Sequence, residues 1–84
     1  MNTTINSLIK LTAISNNKNR IELYKAMAQK LKNATKQEQK YLLEHFYSNL
    51  CGLMAHSEME SNEYNKLNIL LKHLQNICQA SQQL

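Results

Sequence analysis

SNEYNKLNILLKHLQNIC, residues 61–78, is the stretch on which the fold turns. Tyr64, Leu67, Leu71, Leu74 and Cys78 recur at alternating three- and four-residue spacing, and Leu70 and Ile77 widen the stripe. That is the period of a helix with one apolar face, not the alternation of a strand. No Gly or Pro interrupts it, and the whole chain of 84 residues holds one Gly (Gly52) and no Pro, Val or Trp. The turn chemistry and β-branched packing of an all-β fold are therefore missing. Thirteen Leu, six Ile and four Met supply a helical core instead.

Outward from this stretch the same period recurs. A helix over 59–82 is preceded by one over 36–56, with Leu43, Phe46, Leu50, Leu53 and Met54 on its main face and Leu42 at the edge. A helix over 20–33 aligns Ile21, Tyr24, Met27, Ala28 and Leu31, and a short element over 4–14 places Ile5, Leu8 and Ile9 on one side. Asn19 with Glu22, Thr35 with Glu38, and Ser57 with Glu60 each fit a capping box, in which the first side chain and the glutamate satisfy each other's backbone N–H groups. The expected fold is all-α: a single domain over residues 1–84, a small bundle of three to four helices ending in a long antiparallel helical hairpin. The pattern leaves open whether residues 1–15 pack or stay loose.

The closing segment, Ser61-Asn62-Glu63-Tyr64 followed by Leu67, Leu70, Leu71 and Leu74, resembles the final hairpin of small co-chaperones of needle subunits in bacterial type III secretion. The likeness covers roughly a quarter of the chain and lies in generic amphipathic spacing, so it assigns no family.

Composition removes much chemistry. One glycine cannot build a phosphate-cradling loop or a dinucleotide fingerprint, and there is no Asp. His45, Cys51, His56, His73 and Cys78 are never three or four apart, so no pair of them points the same way from one helix. No metal or cofactor is expected. If the last two helices fold back over 57–61, Cys51 and Cys78 end up about 20 Å apart along the hairpin, too far for a disulfide, which needs Cα atoms within about 7 Å. Two reduced, largely buried thiols follow. Glu22, Glu38 and Glu60 are assigned to caps, and no Ser or Cys has a sequence-readable activating partner. The expected protein is not an enzyme and has no small-molecule substrate.

Charge is unevenly spread. Residues 1–43 carry +6 and residues 44–84 carry −2, which suits an acidic partner surface or self-association by charge matching. Lys18, Lys25, Lys32 and Lys36 fall on nearly one line of a helical projection and would track phosphates or carboxylates. Against nucleic acid stand the single arginine, Arg20, and the lack of aromatic residues among the lysines.

On the helix over 36–56, Ser48, Gly52 and Ala55, with Tyr41, lie opposite Phe46 and Leu50. Small residues at this spacing admit a second helix, and mid-helix Gly costs about 1 kcal/mol relative to Ala. Either an earlier helix of the chain fills this face, or it receives a partner helix or a second copy as a homodimer, with Tyr41 and marginally Tyr47 as anchors. The expected function is a non-enzymatic protein-binding module of chaperone, inhibitor or immunity type, acting through a helix groove or the basic face. The alternative is a small nucleic-acid-binding regulator using residues 18–40. No apolar run reaches the length of a membrane span, and no secretory signature opens the chain, so a cytoplasmic location is expected.

Overall fold

In three of the four helices the buried line runs at four-three-four spacing: Thr4-Leu8-Leu11-Ser15, Arg20-Tyr24-Met27-Leu31 and Glu63-Leu67-Leu70-Leu74, all of them buried. Together with Leu43, Phe46 and Leu50 from the remaining helix they form the interior of an all-α bundle. The computed structural model describes residues 2–82. Its elements are α1 (Asn2–Ile14), α2 (Lys18–Asn33), α3 (Lys36–His56) and α4 (Ser61–Gln82), with no strand among the described residues. None of these helices is long and apolar enough to cross a membrane.

Their directions follow from contacts at the two ends. Asn16 and Arg20 reach Glu60 and Glu63, so α2 and α4 begin at the same end. Cys78, late in α4, lines a cleft with Lys36 and Leu43, early in α3. Successive helices therefore run antiparallel. α1 packs on both α2 and α4, α3 packs on α4, and the seam between α2 and α3 is the least closed.

The connections show which capping signals the chain uses. Between α2 and α3 only Ala34 and Thr35 intervene, and Thr35 with Glu38 forms the expected reciprocal box: Glu38 N–H donates to Thr35 Oγ1 (3.2 Å) and Thr35 N–H to Glu38 Oε1 (3.3 Å). The other two boxes do not form. Asn17, not Asn19, caps α2, its side chain accepting from the Arg20 N–H at 3.0 Å, and Glu22 is exposed. Starting the helix at Lys18 places Arg20 within its first turn, from which its side chain reaches into the bundle. Ser57 ends α3 rather than starting α4. The Glu60 backbone carbonyl accepts from Tyr64 N–H, while its carboxylate accepts from Asn16.

Two faces are rotated from the sequence expectation. In α1 the interior takes Leu8 and Leu11, and Ile9 is 52% exposed. Positions 9 and 11 are about 200° apart around a helix, so one stripe cannot hold both. Wedging α1 between α2 and α4 selects Leu11. In α4, Tyr64 is 46% exposed and Glu63 is buried in its place.

Candidate functional site

The buried charge at residue 63 sits in a closed network. Arg20 Nε donates to Glu63 Oε2 at 2.7 Å and Arg20 Nη2 to Oε1 at 3.1 Å, a two-pronged pair whose side chains are 8% and 1% exposed. The Tyr24 hydroxyl donates to Glu63 Oε2 at 2.7 Å. Asn16 Oδ1 accepts from Arg20 Nη2. Burial pushes the Glu63 carboxyl up, but the hydrogen bonds from Arg20, Tyr24 and Ser15 outweigh it and hold the group below its ordinary value. The Arg20 guanidinium is raised, chiefly by its bond to Glu63. Burial first, then the bond to Glu63, raises the Tyr24 phenol. Three donated hydrogen bonds converge on this carboxylate, and the cluster joins α2 to α4. Sequence reasoning placed Arg20 among the solvent cations. The signal that finds both residues is position: each opens a four-three-four line that continues with buried side chains.

This pair changes the surface charge. With Arg20 and Glu63 taken out, residues 1–43 present seven lysines against two glutamates, net +5, and residues 44–84 present two lysines against three glutamates, net −1. The basic half survives, while the acidic half that charge-matched self-association would use nearly vanishes.

Lys18, Lys25 and Lys32 stand exposed along α2. Lys36 does not continue their line. The Ala34–Thr35 turn reverses the chain, and Lys36 lines the cleft at the far end of α3 and α4 with Gln39, Lys40, Leu43, Ile77 and Cys78. A projection that assumes an unbroken helix cannot register that reversal.

On α3, Ser48, Gly52 and Ala55 are exposed and Tyr41 is 67% exposed. A Cβ built on Gly52 meets nothing within 4 Å. The possibility that α1 or α2 fills this face is thereby overturned: α1 packs on α2 and α4, and α3 turns its stripe of Phe46 and Leu50 to the core. The open face borders a groove of about 400 Å³ between α3 and α4, lined by Tyr47, Cys51, Met54, Ala55, Tyr64 and Leu71 among others. Of the four residues expected to form a partner site, Ala55 lines this groove. Tyr47 and Tyr64 supply aromatic edges that were either marginal or assigned to the core.

The thiols of Cys51 and Cys78 are free and half-buried rather than largely buried. Burial first, and Glu44 second, push the Cys78 thiol up, away from the thiolate. Tyr47 is raised as well, first by its hydrogen bond with Cys51. Among the described residues, no three His, Cys or Glu side chains come together as a metal-ion cluster. His45 and His56 are exposed, and His73 is half-buried.

In comparisons with known proteins, no family model, curated protein or solved structure matches the chain.

Proposed function

We propose that this chain is a non-enzymatic, cytoplasmic protein-binding module that acts by covering a helix or patch on a partner. The observation that carries the reading is the outer face of α3. Gly52 sits mid-helix at a cost of about 1 kcal/mol relative to Ala, yet nothing in the chain approaches it. Close approach of another molecule supplies the packing reason that the fold itself does not. Tyr41 and Ala55 extend this face, and the apolar groove with Tyr47 and Tyr64 adjoins it. Exposed aromatic side chains beside a groove are the usual anchors of helix-in-groove contacts. The nucleic-acid reading has one observation in its favour, the exposed line of Lys18, Lys25 and Lys32. It loses its arginine, because Arg20 is consumed by Glu63.

The test is a photo-crosslinking amino acid placed in the source cell at Ala55, and separately at Asn76, an exposed position on α4. A discrete protein adduct from position 55, absent from position 76 and lost when Gly52→Leu is added to a chain that circular dichroism shows to be folded, supports the reading. No adduct from position 55, or equal adducts from both positions, overturns it.

A further inference from the structure

We propose that the outer seam of α3 and α4 receives an acidic amphipathic helix of a partner protein, its apolar stripe over Tyr47 and Leu71 and its carboxylates facing Lys36, Lys40 and Lys72. The inference rests on the protein-binding reading and names the chemistry of the occupant. Three hollows follow one another along this seam, of about 400, 350 and 170 Å³. Tyr47 and Gln75 line both the first and the second, and Glu44 and Cys78 line both the second and the third. The groove beside Ala55 thus continues to the far end of the two helices. Fifteen residues separate Lys40 from Ala55, about 22 Å of axis, which suits a docked helix of about four turns. Half-buried Tyr47, Cys51 and Met54, with buried Leu71, form an apolar floor.

Such a floor alone does not say what lies on it. The charges that line it do. Lys36 and Lys40 line the third hollow and Lys72 the first, all three exposed, against the one carboxylate of Glu44. The groove walls therefore carry a net +2, whereas residues 44–84 as a whole present −1 outside the buried pair. Glu58 and Glu60, which supply that acidity, line a separate hollow at the turn before α4. Among the described residues none of the three lysines forms an ion pair, the pair of the fold being Arg20 with Glu63. The cations stand on both walls, Lys36 and Lys40 on α3 and Lys72 on α4. Six residues separate Lys72 from Cys78, which shares its hollow with Lys36 and Lys40, so the two positions lie about 9 Å apart along the axis. A helix with carboxylates on both flanks of an apolar stripe, about two turns apart, matches floor and walls together. A second copy of this chain is a poor source of such a helix, since its four helices already turn their apolar stripes to the core. Nucleic acid has no apolar stripe and gains nothing from the floor that separates these lysines.

The test titrates four fluorescent probes against the full chain by anisotropy at about 50 and 200 mM salt. The first is a designed amphipathic peptide of about four turns with a Leu/Ala stripe and Glu on both flanks. The second replaces every Glu of the first by Lys, the third scrambles the first, and the fourth is a single-stranded oligonucleotide of equal charge. The expected result is saturable binding of the first peptide, about tenfold or more tighter than the second and third, with helicity gained on binding. Lys36→Glu with Lys40→Glu weakens it by about tenfold, the sum of two modest ion-pair losses. Lys25→Glu with Lys32→Glu, on α2 and outside the groove, changes it by about twofold or less at the higher salt. All four positions are exposed, and circular dichroism checks the fold of both variants. Equal binding of the second or third peptide, tighter binding of the oligonucleotide, or equal losses from the two lysine pairs overturns the proposal. The inference and the reading it rests on fail separately. A discrete adduct from position 55 with no preference for the acidic peptide leaves the protein-binding reading standing and refutes this inference. Acidic-peptide binding that is lost with Lys36→Glu and Lys40→Glu supports the groove chemistry even where no adduct forms at position 55, and the missing adduct then counts against the reading alone.

Discussion

Replacing Glu63 by Gln removes one charge from an interior that holds one ion pair among its described residues. The amide keeps nearly the same volume and can still accept from Tyr24, so the perturbation is electrostatic rather than steric. What remains is a guanidinium whose side chain is 8% exposed with no counter-charge. Breaking one side of a buried pair costs about 3–5 kcal/mol, because the surviving charge is left desolvated. A domain of this size has about 4–13 kcal/mol of stability in total. Equilibrium urea unfolding followed by helical circular dichroism reads the effect. With a slope of about 1 kcal/mol per molar for a small domain, the midpoint falls by about 3 M or more. The companion variant, Arg20→Met with Tyr24→Phe and Glu63→Leu, removes both charges and the phenol that would lose its acceptor. It unfolds near the wild-type midpoint or above it, since a well-packed apolar replacement is often neutral or stabilising. A loss below about 1 kcal/mol in the Glu63→Gln variant would refute the reasoning, for that is the range of a solvated surface pair.

Acid titrates the same pair. The Glu63 carboxyl is held below its ordinary value in the folded chain, so it stabilises the fold fully above the ordinary glutamate range and loses that contribution as pH falls through its folded value. Urea midpoints measured from pH 6 downward should therefore drop, and drop less steeply in the triple apolar variant. Gly52→Ala is expected to raise stability by about 1 kcal/mol, because the added Cβ meets nothing within 4 Å. For a chain of this length that is a rise in Tm of about 4–8 °C, measured by thermal circular dichroism.

Much of the bundle was legible because helical period and apolar content agree along α2, α3 and α4. Tyr24, Met27 and Leu31, Phe46 and Leu50, and Leu67, Leu70, Leu71 and Leu74 are interior as their spacing requires. The Thr35–Glu38 box was equally plain, since two residues separate the helices and nothing competes for the cap. Asn17 and Asn19 are a different case. Either amide can cap a helix, and the choice is made by where Arg20 must stand to meet a carboxylate more than forty residues away. No local rule contains that distance. The basic face was legible as a charge excess, but its extent was not, because the line through Lys36 assumes a helix that ends at Asn33. Small residues on the outer side of α3 were visible as a face. Whether anything covered them depended on where the other helices pack, and the stripe of Phe46 and Leu50 is the side that α3 turns to the core.

The Arg20–Glu63 pair has a consequence for how the helices align along their length. Leucines fill the layers that follow it, and one leucine layer is nearly interchangeable with the next. Were α4 to slide by seven residues, Leu70 would arrive opposite Arg20, and Glu63 would be carried beyond the reach of both Arg20 and Tyr24. The leucine contacts would largely re-form, but a buried cation would have lost its anion, which is the expensive arrangement. A single charged layer thus acts as an index mark on an otherwise repetitive scale, much as one polar residue sets the alignment of a coiled coil. Ser15 and Asn16, at the junction of α1 and α2, lie at the same mark.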